Sequence, residues 1–200
     1  MGSTILPPQS SHIVFVYGSL LADEVVSVIL KRVPHSSPAI LDGYRRFSVE
    51  GRVYPAITPV EDKKVNGKVL FGITDPELDL LDAFEDVEYE RNTVDAFLIC
   101  KFIEAEAVIG RSDFCNKMYR MLGGLQDTCE RVQTYTYVWK EKNDPHLYGD
   151  WDIEAWRQVH MSDFLKMTTG FIEEFEGLES KPRVATYEEF FHQAESPPTL

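Results

Sequence analysis

Apolar residues recur along the first half of the chain with the alternation that is typical of β-strands. Short β-branched and aromatic runs predict strands over residues 13–16, 39–41 and 44–49. Residues 34–38 are rich in proline and serine, which predicts a loop. Pro55 has no N–H to donate to a central ladder, so we expect it to open an edge strand.

The later strands follow the same alternation. Asn66-Gly67 is a strong hairpin signal ahead of a strand over residues 69–73. Further strands are predicted over residues 93–102 and 132–139. Between them, residues 110–130 are compatible with either a long loop or a short helix around residues 115–122.

Helical periodicity separates these strands and then dominates the end of the chain. Helices are predicted over residues 23–31, from a cap at Thr74 or Asp75 to Glu85, and over residues 151–179, where Gly170 is expected to bend or divide the helix. A short helix is expected over residues 187–192. Because the helices do not alternate strictly with the strands, the pattern predicts an α+β fold, with a small, barrel-like mixed β-sheet, flanking helices and a long C-terminal helical segment.

Composition and charge argue against several classes of function for this chain. The 200 residues are 44% hydrophobic with a formal net charge of −13, which argues against a nucleic-acid or anionic-membrane surface. The chain contains no apolar run long enough to span a bilayer, and its first residues lack the apolar core of a signal peptide. The three cysteines match no zinc pattern and are expected to be ordinary thiols. We therefore expect a cytoplasmic protein.

A candidate anion-binding turn follows the first strand. Gly18 and Ser19 interrupt the chain between a strand and a helix, so backbone N–H groups are expected to point outward without partners. A glycine there lets a ligand approach the backbone closely. A plain tight connection remains the alternative. Ser19 lacks the glycine pattern and the histidine that an activated nucleophile requires.

A candidate acid–base residue lies in the acidic stretch over residues 77–88. Phe84 lies on the apolar face of its predicted helix, so Glu85 is expected at the margin of the core. Partial removal from water would raise the pKa of this carboxyl and let it exchange protons near neutral pH. A solvated glutamate at a helix end is the alternative. His146, Asp150, Asp152 and His160 fit no familiar metal-ligand spacing, and Asp150 or Asp152 is better read as a helix cap.

These two stretches also carry a family resemblance. Phe15-Val16-Tyr17-Gly18-Ser19-Leu20, followed by Leu81-Asp82-x-Phe84-Glu85-x-x-x-Tyr89-x-Arg91, resembles the gamma-glutamylcyclotransferase-like superfamily, and more closely its plant AIG2-like branch. Supporting residues are Gly43-Tyr44-Arg45-Arg46, Tyr54-Pro55-Ala56, Val65-x-Gly67-x-Val69, Val138-Trp139 and Gly149-x-Trp151-Asp152. The resemblance covers about residues 13–164.

The resemblance implies a barrel domain over residues 13–148. The composition of the chain predicts a flexible leader over residues 1–12. Its helical periodicity predicts a helical extension over residues 149–200 that packs on the barrel and ends in a mobile tail. The resemblance further implies a cytoplasmic enzyme of the acyltransferase or lyase type that forms 5-oxoproline from a gamma-glutamyl peptide or amine. Glu85 would act as general acid and base. The substrate would be held by Tyr17, Gly18, Ser19, Leu20, Leu21, Ala22, Tyr54 and Tyr89.

The resemblance implies no cofactor and no metal, and its expected partner is the small gamma-glutamyl substrate, with no nucleic acid and no membrane. It leaves the oligomeric state open. Ala22 stands where the glutathione-degrading branch has tryptophan, which argues against glutathione as substrate. The alternative function is a non-catalytic module of the same fold that binds a small molecule or a partner.

Overall fold

A computed structural model describes residues 11–99, 130–175, 177 and 181–195 of the chain, with the last four in backbone only. The strands are β1 (Ser11–Val16), β2 (Ser36–Val49), β3 (Pro55–Thr74), β4 (Tyr89–Leu98), β5 (Arg131–Trp139) and β6 (Leu147–Tyr148). The helices are α1 (Asp23–Leu30), α2 (Asp75–Glu85), α3 (Ile153–Val159), α4 (Met161–Phe175) and α5 (Arg183–Glu195). The sequence predictions for residues 110–129 and for the three cysteines lie outside the described residues.

The six strands form one mixed sheet in the order β3-β1-β5-β4-β2-β6, and β3 also pairs with β2. This additional pairing makes the hydrogen-bonded strands β1 to β5 run in a ring, as a small barrel requires. Strand β1 is parallel to β5, and the other pairs are antiparallel. The α+β class with a mixed sheet and flanking helices is therefore confirmed.

The hairpin predicted at Asn66-Gly67 is wrong, because β3 runs through both residues and pairs them with Ile40 and Ala39 of β2. Gly67 is required for close packing rather than for a turn. A Cβ atom there would lie 2.4 Å from the carbonyl oxygen of Val16 and 2.5 Å from the Phe15 ring. The chain instead reverses between β2 and β3, at Gly51 with its positive φ of +72°.

Two other strand predictions need correction. Residues 36–38 of the predicted loop already belong to β2, where they pair with Leu70, Val69 and Lys68. Pro55 opens β3 as predicted, in a stretch of the strand that pairs only with β2 among the described residues, since β1 pairs with β3 only from Lys68 onward. Strand β4 begins at Tyr89, four residues earlier than predicted, because it pairs with β5 over that length.

The helices begin with the predicted polar residues. The backbone N–H and side chain of Thr74 both donate to the Glu77 carboxylate at the start of α2. Asp152 caps α3 by accepting from the N–H of Ala155, 2.8 Å away.

The predicted helix is not divided at Gly170. Helix α4 continues through that residue, and a Cβ atom there would meet no atom within 4 Å. The long predicted helix divides at His160 instead, where φ is −115°. The predicted short helix over 187–192 is part of the longer α5.

The C-terminal helices join the main hydrophobic core through aromatic side chains. Helix α4 lies against α1, and α5 lies against α4. Trp156, Phe164 and Phe171 are at most 2% exposed and join the main hydrophobic core. Among the residues that the structure describes, no helix has both the length and the apolar character needed to cross a bilayer.

Candidate active site

One cavity is lined both by the turn after β1 and by the end of α2. It lies at the mouth of the strand ring, and helices α4 and α5 complete its wall. Its lining residues are Phe15, Val16, Tyr17, Gly18, Ser19, Leu20, Tyr54, Pro55, Phe84, Glu85, Tyr89, Tyr137, Phe164 and Arg183. The structure thus brings together Glu85 and six of the eight residues predicted to hold the substrate.

The turn is a single turn of 3-10 helix at Ser19–Leu21 that begins directly after Gly18. A Cβ atom on Gly18 would lie 3.0 Å from two carbons of the Pro55 ring, so glycine allows these two segments to meet. The N–H groups of Gly18, Ser19 and Leu20 have no hydrogen-bond partner among the described residues. They are the donors that the turn can offer to a ligand.

Leu21 and Ala22 are not brought to the cavity. The N–H of Leu21 donates to the carbonyl of Gly18 at 2.9 Å, and that of Ala22 donates to the carbonyl of Ser19 at 3.0 Å. These two amides are used inside the turn. Their contribution is to hold its shape.

Glu85 is the last residue of α2, next to Phe84 on the buried face of that helix. Its side chain is partly buried. Burial raises the pKa of the Glu85 carboxyl to about 7; the Arg183 cation opposes this rise, and the neighbouring carboxylates Glu88 and Asp82 add to it. A carboxyl with this pKa both accepts and donates a proton near neutral pH.

The helix ends abruptly after Glu85, because Asp86 adopts a positive φ of +58°. Such a conformation is costly for a residue other than glycine and requires support from its surroundings. The Asp86 carboxylate accepts from the backbone N–H groups of Val87 and Val184, at 2.7 and 2.9 Å. This contact joins the end of α2 to the start of α5.

The tyrosines of the cavity are anchored to the protein by their hydroxyl groups. Tyr17 donates to the carbonyl of Tyr137 at 2.7 Å, Tyr89 to the carbonyl of Pro55 at 2.8 Å, and Tyr54 to Glu88 at 2.6 Å. Burial raises the pKa of Tyr17 and Tyr89, so both remain neutral phenols. These side chains form a rigid wall around Glu85.

Arg183, from α5, is a cavity residue that the sequence reasoning missed. Its side chain is 2% exposed, and its Nε donates to the carbonyl of Phe84 at 2.6 Å. Its guanidinium lies 3.3 Å from the Glu88 carboxylate and 4.3 Å from the centre of the Tyr54 ring. The one sequence signal is a cation in the first turn of a helix, where the helix dipole disfavours positive charge.

The remaining sequence candidates are placed elsewhere. Arg91 donates to Asp82 at 2.5 Å and does not line the cavity. His146 bonds to Asp144 at 2.9 Å. In the described ranges, no three His, Cys, Asp or Glu side chains converge as a metal site requires. Among the described residues that line the cavity there is no histidine or cysteine, so the one candidate base that these residues offer to Ser19 is a carboxylate.

Comparisons with known proteins place the chain in a family. Residues 14–153 match the family described as "Gamma-glutamyl cyclotransferase, AIG2-like". The chain is 50% identical over 163 residues to AIG2-like protein D of Arabidopsis thaliana, a match that covers 82% of this chain and 90% of the relative. It is 45% identical over 189 residues to AIG2-like protein C of the same plant, covering 94% of each.

A solved structure from the same plant is also similar. A solution structure of an Arabidopsis thaliana protein aligns with a TM-score of 0.54 at 37% identity, covering 88% of this chain and 90% of that one.

Proposed function

The chain belongs to the gamma-glutamyl cyclotransferase, AIG2-like family, and from this premise we propose that it is an enzyme that releases 5-oxoproline from a gamma-glutamyl amine or peptide. One observation carries the proposal. Glu85, with a pKa raised to about 7, lines the same cavity as the Tyr17–Leu20 turn with its three unpartnered N–H groups. An acid–base group and an anion-binding turn thus share one small site.

The proposed reaction is an intramolecular aminolysis. The neutral α-amine of the substrate attacks its own γ-carbonyl carbon, and the Glu85 carboxylate takes the proton that the nitrogen loses as the new C–N bond forms. Glu85 then gives that proton to the departing amine nitrogen as the original C–N bond breaks. The products are 5-oxoproline and a free amine or amino acid, and Glu85 returns to its starting form. A pKa near the working pH suits a group with both tasks.

The turn would supply orientation and charge stabilisation. The N–H groups of Gly18, Ser19 and Leu20 are suited to hold the substrate carboxylate, or the oxygen on which negative charge develops in the transition state. Closing a five-membered ring depends mainly on folding the substrate back on itself. The aromatic wall of Tyr17, Tyr54 and Tyr89, held by hydroxyl bonds, favours such a compact conformation over an extended one.

The test is a panel of gamma-glutamyl dipeptides and amines assayed for 5-oxoproline release. Wild type is compared with Glu85→Gln, which keeps the shape of the side chain and removes the proton acceptor. Glu90→Gln is the matched control, because it makes the same chemical change at an exposed position of β4 outside the cavity. Loss of the general acid–base should lower the rate by roughly 10²–10⁴ in Glu85→Gln, while Glu90→Gln keeps wild-type activity.

Two outcomes would count against the proposal. Equal activity of wild type and Glu85→Gln would leave the reaction standing but remove Glu85 as its acid–base group. No turnover of any compound by wild type would favour a binding module that retains the turn. Saturable binding of the same compounds, weakened by a change in the turn, would then identify that module.

A further inference from the structure

A second cleft lies on the outer face of the sheet, away from the lining of the candidate active site. Within the described part of the chain it is lined by Arg45, Arg46, Lys63, Lys64, Val65, Asn66, Asp150 and Trp151. Four cations and one carboxylate thus share one concave surface, in a chain with a net charge of −13. We refer to these eight residues as the basic cleft.

The fold builds this concentration of charge through an irregularity between β2 and β3. Asp42 pairs with Lys64 and Tyr44 pairs with Pro59, so residues 60–63 of β3 bulge outward opposite Gly43 alone. Both sides of the bulge contain a residue with positive φ, Gly43 at +78° and Asp62 at +59°. The bulge presents Lys63 and Lys64 to the same concavity as two successive arginines of β2.

Arg46 lies at the base of the basic cleft without an ion pair. It is partly buried, and no carboxylate of a described residue lies within ion-pair distance of it. Its one hydrogen bond runs from Nη1 to the carbonyl of Tyr17, at 2.7 Å. Loss of water contact lowers the pKa of Arg46, and Asp152 and Asp150 oppose this only from a distance. A half-buried cation of this kind is stabilised by an anion.

The ion pairs of two other cations have exposed carboxylate partners, and Arg45 also donates to the carbonyl of Gly149 and lies over the Phe47 ring. Arg45 lies 3.2 Å from Asp150, whose side chain is 86% exposed, and Lys64 lies 3.2 Å from Asp42, whose side chain is 46% exposed. Exposed ion pairs of this kind contribute little stability and are readily exchanged for a stronger anion. Lys63 is exposed on the bulge.

We propose that the basic cleft binds a phosphate group. A phosphate carries up to two negative charges and several acceptor oxygens, which matches a lining with a net positive charge of about three and the planar donors of two arginines. The amide of Asn66 adds a neutral donor to the same surface. Trp151 is 9% exposed and lies under the guanidinium of Arg46, 5.4 Å from its ring centre, so it supports the arginine rather than the ligand.

The basic cleft is joined to the candidate active site by two hydrogen bonds. Arg46 holds the carbonyl of Tyr17, and the indole of Trp151 donates to the carbonyl of Val53 at 3.0 Å. Tyr17 and Tyr54, which follows Val53, line the active-site cavity. A phosphate that fixes Arg46 therefore also steadies the turn, and hydrogen exchange of the Leu21 and Ala22 amides, which are hydrogen-bonded inside the turn, should slow when phosphate binds.

The test uses titration calorimetry of the full chain with inorganic phosphate, at constant ionic strength set with sodium chloride. Lys63→Gln/Lys64→Gln removes two exposed charges from the basic cleft without changing a core residue. Lys140→Gln/Lys142→Gln makes the same charge change at exposed positions outside it and is the matched control. We expect one site in wild type, at least about tenfold weaker binding in the first variant and a change of no more than about twofold in the control.

Two further measurements complete the test. The affinity for adenosine monophosphate is compared with the affinity for inorganic phosphate. Equal affinities would indicate that the basic cleft binds free phosphate, and tighter binding of the nucleotide would indicate that it binds a phosphate monoester. Amide exchange of the turn is followed with and without phosphate. An absence of saturable binding in wild type, equal weakening in both double variants, or unchanged exchange in the turn would overturn the proposal. None of these measurements requires that the protein turn over a gamma-glutamyl compound.

Discussion

Replacing Glu85 with glutamine should stabilise the folded protein at alkaline pH. The wild-type side chain must be ionised there, at a position where burial disfavours its charge and two further carboxylates lie nearby. Glutamine has almost the same shape and carries no charge at any pH. The substitution therefore removes the cost of a buried charge without opening a cavity in the wall beside Phe84.

The magnitude follows from the two pKa values of the carboxyl. In the folded protein it releases its proton at about pH 7, and in the unfolded chain near 4.5. Between these values the folded state holds more protons than the unfolded state, so stability falls as the pH rises through this window and is level above it. The difference between the two pKa values lowers the free energy of unfolding by about 3 kcal/mol at alkaline pH. Below the pKa of the unfolded chain, the Glu85 carboxyl has no such effect.

The assay is urea unfolding of wild type and Glu85→Gln across this pH window, with Glu90→Gln as the exposed control. Subtracting the variants cancels the titration of all other groups. We expect Glu85→Gln to gain about 3 kcal/mol relative to wild type between about pH 4 and about pH 8, and Glu90→Gln to show no such trend. A difference that is flat with pH, or that favours wild type as the pH rises, would refute a raised pKa at Glu85.

Three other substitutions test the packing and the electrostatics. Gly67→Ala should destabilise the protein by at least about 2 kcal/mol in urea unfolding, because its Cβ would overlap the Phe15 ring and no flexible group can yield. Gly170→Ala should instead stabilise it by up to about 1 kcal/mol, since that Cβ meets open space in a helix; a loss of stability there would contradict a continuous α4. Arg183→Gln should raise the pKa of the Glu85 carboxyl further, as followed by carbon NMR titration, because the nearby cation is lost. An unchanged or lower pKa in this variant would show that Arg183 does not act on Glu85.

The two motifs of the candidate site were predictable because each is local in the chain. The turn follows from a strand ending at Val16 and a glycine, and the margin position of Glu85 follows from the helical spacing of Leu78, Leu81 and Phe84. The spacing could not predict that the turn and Glu85 line the same cavity. The family resemblance implied that meeting, and the structure places them together.

Arg183 was not predictable, because its role depends on contacts between distant segments. Its hydrogen bond to the carbonyl of Phe84 joins residues 99 positions apart, and no periodicity or motif marks it. The basic cleft could not be predicted from the sequence for a related reason. Arg45 and Arg46 are adjacent, but only the β3 bulge brings Lys63 and Lys64 beside them.

Two of the predictions went wrong because glycine serves more than one purpose. Asn66-Gly67 has the composition of a tight turn, yet Gly67 is present because the Phe15 ring and a carbonyl fill the space of a side chain. Gly170 has the composition of a helix bend, yet nothing crowds it and α4 passes through. The sequence shows where a glycine lies, but its structural role depends on the tertiary packing around it.

The most direct test of the central claim is the pH profile of 5-oxoproline release by wild type and Glu85→Gln on one substrate. The ionisation of the substrate amine is common to both proteins, so the difference between their profiles belongs to Glu85. We predict that wild-type activity rises with pH through an apparent pKa of about 7, and that the residual activity of Glu85→Gln lacks this rise. The same profile in both proteins would contradict the assignment of Glu85 as the proton-transferring group.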